Sequence, residues 1–212
     1  MTYKAVRLIH ECDVIAVPKG GTGEQTALTI AAKWIEGKPI LHCDMPMTRD
    51  QEVLHACHDK AADDICVQLD AGKNIAFLTL GDPAVYSTYW YVHRRVQARG
   101  YEVEIVPGVP SFCAVAARLG QALCEGSQML HIIPASHNAT EAGLALPGNK
   151  ILMKAGRSIL EVRDLLEAQG KGDTAALVER CGMEGERVVR DLRELDDPTG
   201  YFSVILVREE QK

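Results

Sequence analysis

The sequence predicts an α/β protein, and three observations carry that expectation. Strand-like runs alternate with amphipathic helices through the first half. Ile75-Ala76-Phe77-Leu78-Thr79-Leu80 is a nearly continuous apolar run, as a parallel strand covered on both faces requires. Beyond about residue 111 strands come closer together, which favours a mixed sheet there and a domain division near Pro107–Ser111, giving domains 1–108 and 109–212.

In order, residues 1–11 carry Val6 and Ile9 at helical spacing with Leu8 flanking them, followed by a strand Val14–Val17 closed by Pro18. A Gly-rich loop, Lys19–Gly23, precedes a helix over 24–36 that stops at Gly37. A strand Ile40–Cys43 follows. Thr48 caps a long helix, with Gln51 three residues on, and Val53, Leu54, Cys57, Ala61, Ile65 and Leu69 share one face up to Gly72. After the 75–80 strand, Pro83 suits the first turn of a helix running to Arg99, and a strand Val103–Val106 ends in Pro107-Gly108. The second half reads as a helix near Ser111–Leu119 and strands at 129–134, 150–154, 174–181, 186–192 and 201–208. A helix over 158–169 lies among them.

Composition narrows the function classes. Of 212 residues 47% are hydrophobic and only 9 are Pro, which excludes disorder as the general state. No apolar run approaches the roughly 18 residues of a membrane span, and the net charge of −6 argues against wholesale nucleic-acid binding. Charges interrupt the N-terminal stretch, so no signal-peptide centre is read and a cytoplasmic location is expected. The seven cysteines are scattered without a Cys-x-x-Cys pair, which predicts reduced, mostly buried thiols.

Ligands of open α/β sheets bind beyond the carboxyl ends of the strands. Leu80-Gly81-Asp82-Pro83 stands there: Gly admits a ligand close to the backbone, and Asp82 can accept from an ammonium or hydroxyl. The plainer reading is a tight turn with Asp82 as a helix cap. Tyr86-Ser87-Thr88-Tyr89 adds four hydroxyls that line a polar pocket or merely solvate a helix. The Lys19–Gly23 loop lacks the Gly-Lys-Ser/Thr ending of a phosphate-binding loop. His55, Cys57 and His58 read as a core Cys with surface His, not a metal site.

The stretch Ala76–Thr88, with Tyr86-Ser87-Thr88 after Gly81-Asp82-Pro83, resembles the precorrin-2 (cobalt-factor II) C20-methyltransferase family of the tetrapyrrole methyltransferase superfamily. Pro46-Met47-Thr48-Arg49-Asp50, Glu104–Phe112, Leu130–Ala135, Leu152-Met153-Lys154 and Tyr201-Phe202-Ser203 continue the resemblance in family order, over essentially the whole chain. It implies the two-domain tetrapyrrole methylase architecture, with a mostly parallel N-terminal sheet and a mixed C-terminal one. It also implies S-adenosylmethionine (SAM) held in the cleft between the domains, a homodimer, and methylation at C20 of precorrin-2 or its cobalt complex in cobalamin biosynthesis. No protein-bound metal, nucleic acid or membrane belongs to that picture.

Carried over by motif, Leu80, Gly81, Asp82 and Val85 meet the amino-acid end of SAM. Pro110, Ser111, Met153, Cys181, Gly182 and Ser203 wrap the rest. Tyr86, Ser87 and Thr88 face the macrocycle, and Asp82 and Tyr86 are the candidates for catalytic proton transfer. Two departures from the family pattern stand out. Its usual N-terminal strand and Gly-x-Gly-Pro-Gly-Asp-Pro loop have no counterpart ahead of Met1–Ala5, and Pro110 replaces the usual Thr or Ser. Another methyltransferase of the superfamily, acting at a different ring carbon or on a diphthine precursor, and a SAM-binding pseudoenzyme are the alternative readings.

Overall fold

A computed structural model describes residues 1–19, 22–135 and 140–209, apart from the side chains of 22–25 and 157. The chain divides into two compact units, Met1–Pro110 and Ser111–Lys212.

In the first unit, α1 (Tyr3–Glu11) is capped by Thr2, whose hydroxyl accepts from the Ala5 N–H at 3.3 Å. β1 (Val14–Lys19), α2 (Thr22–Ile35), β2 (Ile40–Asp44), α3 (Gln51–Asp70), β3 (Ile75–Phe77) and α4 (Tyr89–Ala98) follow. The strands form a three-stranded, wholly parallel sheet in the order β2-β1-β3, so all three carboxyl ends lie at one end. Central β1 buries Val14–Val17, whereas β2 and β3 are only partly covered. Ala16 packs with Cys43, Ala61, Ala62, Ile65, Val92 and Val96 on one face, and Ile15 and Val17 with Ile9, Ala31 and Ile35 on the other.

Several sequence expectations are corrected here. Of the loop read at Lys19–Gly23, residues 20 and 21 lie outside the described residues, and Thr22 and Gly23 already belong to α2. The cap of α3 is Asp50, accepting from the N–H groups of Glu52 (3.0 Å) and Val53 (3.2 Å), while Thr48 accepts from the Asp50 N–H. The buried face of α3 is His58, Ala61, Ala62, Ile65 and Cys66, with Val53 exposed. His58 stacks on Tyr91 at 4.7 Å, so it is a core residue while His55 is exposed and Cys57 half-buried. Burial, then the charge of Arg95, lowers its pKa. The strand read over 75–80 ends as a strand at Phe77, with one further bond from Leu78, and no helix starts at Pro83. Residues 103–106 join no strand ladder among the described residues. All seven cysteines are free thiols, but only Cys12, Cys43 and Cys66 are buried.

The second unit runs α5 (Ser111–Leu119), β4 (Leu130–Pro134), α6 (Thr140–Leu144), β5 (Asn149–Met153), α7 (Ile159–Ala168), β6 (Ala175–Glu179), β7 (Arg187–Val189) and β8 (Ser203–Val207). The sheet order is β4-β5-β8-β6-β7, with β4 and β5 parallel and the other pairs antiparallel: a mixed sheet. β8 is buried along its whole length. Leu152, Leu177 and Ile205 form one core with Ile159, Val162 and Leu166 of α7.

Candidate functional site

The residues expected to bind the cofactor fall into two groups, one in each unit. The first begins where β3 ends. Leu78 still donates to the Ala16 carbonyl at 2.8 Å, and beyond it Leu80 is 38% exposed. Gly81 then turns the chain at φ +76°, a conformation that disfavours any side chain. Asp82 Oδ1 accepts from the Ala84 N–H and Oδ2 from the Gly108 N–H, each at 2.8 Å. This carboxylate closes the bend as an Asx turn and ties it to the 101–110 segment, instead of capping a helix. Gly108 fits because it has no side chain: a Cβ would stand 2.0 Å from the Gly81 carbonyl oxygen.

Val85 donates to the Asp82 carbonyl at 3.1 Å, and Tyr86, 43% exposed, takes φ +51°. That left-handed residue is why the helix waits until Tyr89. Ser87 accepts from the Tyr89 N–H at 3.2 Å, and Thr88 points its hydroxyl at Met45 Sδ, 3.8 Å away. The indole N–H of Trp90 donates to the Pro83 carbonyl at 2.7 Å, pinning the bend to α4. Gly108 and Trp90 were not among the site residues read from the sequence. The Pro107-Gly108 pair and a lone Trp in a polar stretch were the signals for them. Pro110, half-buried, ends this unit.

In the second unit the register brings Met153, Ser203 and the Cys181–Gly182 loop to one end of the mixed sheet. Met153 closes β5 and pairs with Val204, and Ser203 opens β8 opposite Glu179, the last residue of β6. Ser203 is 3% exposed, and its hydroxyl donates to the Gly200 carbonyl at 2.9 Å. Its side chain is therefore committed to its own turn. The loop after β6 holds its shape through Arg180 at φ +54° and Gly182 at φ +72°. Gly182 N–H donates to Glu186 Oε2 at 2.8 Å, and Arg118 Nε to Glu186 Oε1 at 2.5 Å. Those bonds, the Gly182 one foremost, hold the Glu186 carboxyl below its usual range. Burial, aided by Glu186, pushes the Cys181 thiol up, which keeps it protonated rather than a nucleophile. Ser111, exposed, is the first residue of α5.

Each unit by itself thus presents a backbone bend held by its own side chains, at Gly81–Tyr86 in the first and at Arg180–Gly182 in the second. Among the described residues, no three His, Cys, Asp or Glu side chains are grouped so as to hold a metal ion.

Comparison with known proteins decides the family. The profile of the tetrapyrrole (corrin/porphyrin) methylases matches residues 1–196. The chain belongs to the tetrapyrrole methylases. Among its relatives in that family, the cobalt-precorrin-2 C(20)-methyltransferase of Salmonella typhimurium is 31% identical, over 99% of this chain and 91% of its own length. The precorrin-2 C(20)-methyltransferase of a Sinorhizobium species is 27% identical over 98% of this chain and 89% of its own. The cobalt precorrin-4 methyltransferase crystal structure shares the fold, with a TM-score of 0.74 at 19% identity, covering 98% of this chain and 88% of that one. The uroporphyrin-III C-methyltransferase of Thermus thermophilus, complexed with S-adenosylhomocysteine, aligns with a TM-score of 0.67 at 17% identity, over 99% of this chain and 91% of that one.

Proposed function

We propose that this tetrapyrrole methylase transfers the methyl group of SAM to the C20 meso carbon of precorrin-2 or its cobalt complex, a step of cobalamin biosynthesis. The observation that carries this reading is the extent of the similarity. The C20-methyltransferases align over 98–99% of the chain, whereas a precorrin-4 C(11)-methyltransferase aligns over 57% and a diphthine synthase over 40%.

When bound, SAM supplies an electrophilic methyl group on a sulfonium. The chain's own work is to hold and align its ligands and to exclude water. In this reading the Leu80–Gly81 backbone and Val85 take the amino-acid end, as the side-chain-free turn at Gly81 permits. Asp82 keeps that turn in shape through its two main-chain bonds. Pro110, Ser111, Met153, Cys181, Gly182 and Ser203 contribute the remaining contacts, Ser203 through its backbone because its hydroxyl is engaged. Tyr86, Ser87 and Thr88 meet the macrocycle. The electron-rich C20 forms a C–C bond to the methyl group as the S–C bond of the sulfonium breaks, leaving S-adenosylhomocysteine, and its C–H bond then gives up the meso proton to a base, directly or through water. Of the two residues expected to move that proton, Asp82 accepts N–H groups at both its oxygens, and Tyr86 stands 43% exposed on the same bend.

The test is incubation of the chain with SAM and, separately, precorrin-2 and its cobalt complex, with the product solved by NMR. C20 methylation is expected, and methylation elsewhere overturns the assignment. Titration with S-adenosylhomocysteine separates an enzyme from a binding protein: binding without turnover of either substrate favours the latter. The same reading makes the enzyme a cytoplasmic homodimer, checked by light scattering on the purified protein and by fractionation of cells.

A further inference from the structure

Glu179, Arg187 and Ser203 stand opposite one another on three neighbouring strands, with β6 in the middle and β7 and β8 beside it. Residues in register across a sheet share a face, so these side chains form one row. Two residues along each strand, Leu177, Val189 and Ile205 make the next row of the same face, which belongs to the core under α7. The polar row therefore closes that core at the sheet end where Met153, Cys181, Gly182 and Ser203 gather.

Glu179 is the carboxylate of the row, its side chain 16% exposed, and its two oxygens do different work. Oε1 accepts from the Gly200 N–H at 2.6 Å, and Oε2 lies 3.3 Å from Arg187 Nε. A bond from an N–H to an ionised carboxylate is about twice as strong as a neutral one. The turn ahead of β8 is thereby gripped at both ends of Gly200, because the Gly200 carbonyl accepts from the Ser203 hydroxyl at 2.9 Å. A Cβ at Gly200 would stand 3.2 Å from Glu179 Oε1, so carboxylate and turn are in close contact. The hydroxyl of Thr199, the residue before, is buried and makes no hydrogen bond, so it takes no share in holding the turn. On the other side, Arg187 Nε and Nη2 are buried without a hydrogen bond, and Glu179 is the counter-charge beside them.

We propose that Glu179 is a positioning residue for the cofactor: through Gly200 it fixes the turn that presents the main chain of Ser203, and Arg187 keeps the carboxylate aimed at that turn. The inference rests on the reading of Ser203 as a SAM contact. Glu179 acts through the turn and not on the reacting atoms. What it supplies is a contact loop already in its binding shape, which spares the ligand the cost of ordering it.

The test is calorimetric titration of the full chain and its variants with S-adenosylhomocysteine, alongside KM and kcat for SAM. Glu179→Ala should weaken binding about fivefold or more, with the loss falling on KM more than on kcat. Glu179→Gln keeps an oxygen for the Gly200 N–H but drops the charge beside Arg187. It should bind within about twofold of the unaltered chain while melting at a lower temperature. A merely structural role would lower the affinity of both variants alike, so an equal loss in the two, or unchanged affinity in Glu179→Ala, overturns the proposal. Circular dichroism checks the folds. If Glu179→Ala does not fold, Glu179→Asp replaces it, a methylene too short to reach Gly200: several-fold weaker binding supports the proposal, and unchanged affinity overturns it. An unaltered chain that does not bind S-adenosylhomocysteine overturns the SAM reading and this inference with it. Normal binding by the unaltered chain beside an indifferent Glu179→Ala overturns this inference alone.

Discussion

The two units stabilise their sheets by different means. In the second, β5, β6 and β8 are buried nearly end to end, and β8 contributes Val204–Val207 without an exposed position. In the first, only β1 is buried so fully, and β2 shows a single buried residue, Cys43. What the first unit has instead is a polar bend in which one carboxylate, one indole and two glycines lock main chain to main chain. The difference teaches that the mixed sheet draws its strength from area removed from water, whereas the candidate ligand loop is held by a few directed bonds. Mutations should therefore act differently in the two places.

The largest effect expected is in the mixed sheet. Ile205→Ala, at a position with no exposure, should cost about 2–5 kcal/mol in urea unfolding, while Leu41→Ala on half-covered β2 should cost about 1 kcal/mol. Equal losses would break the comparison. At the bend, a side chain at position 108 meets a carbonyl oxygen that cannot rotate away. Gly108→Ala should thus lower the affinity for S-adenosylhomocysteine about tenfold or more and destabilise the chain by about 2–4 kcal/mol. Gly81→Val forces a branched residue to φ +76° and should have the same effect on affinity. Asp82→Asn keeps one oxygen acceptor for two N–H donors and should cost about 1–3 kcal/mol by thermal unfolding. A loss of turnover with stability and affinity intact would instead assign Asp82 to the chemistry.

A pH series sharpens the contrast within the second unit. Glu186 has its folded pKa below its unfolded one, so its contribution is fully present above the ordinary carboxylate range and fades as pH falls through that range. Glu186→Gln should therefore flatten the acid limb of the melting temperature below about pH 5, modestly because the pair is solvated. The smallest effect belongs to His55→Ala, an exposed position: activity unchanged and stability within about 0.5 kcal/mol.

How much of this was legible in the sequence follows the same division. The second unit's strands were readable because continuous apolar runs such as Ala175–Val178 and Val204–Val207 admit no other burial, and α5 and α7 showed clean helical spacing. The first unit misled at the bend. Pro83 after Gly81-Asp82 has every local mark of a helix start, but Asp82 spends its second oxygen on Gly108, 26 residues away in sequence, and Tyr86 adopts a left-handed turn. Neither is encoded in a window of neighbouring residues. Val103–Val106 has strand composition yet finds no ladder among the described residues, and Thr48 lost the cap of α3 to Asp50, two residues nearer the helix. The candidate residues at Met153 and Ser203 came from motif resemblance. That they share one sheet end depends on an antiparallel register that spacing does not reveal.

Where Gly108 approaches Gly81 no side chain stands between the two backbones, and the Asp82 carboxylate clasps them together. Such a seam has one carboxylate to keep and no room for a further side chain. Its geometry therefore rests on an absence and a presence: no β-carbon at 108, and a carboxylate at 82.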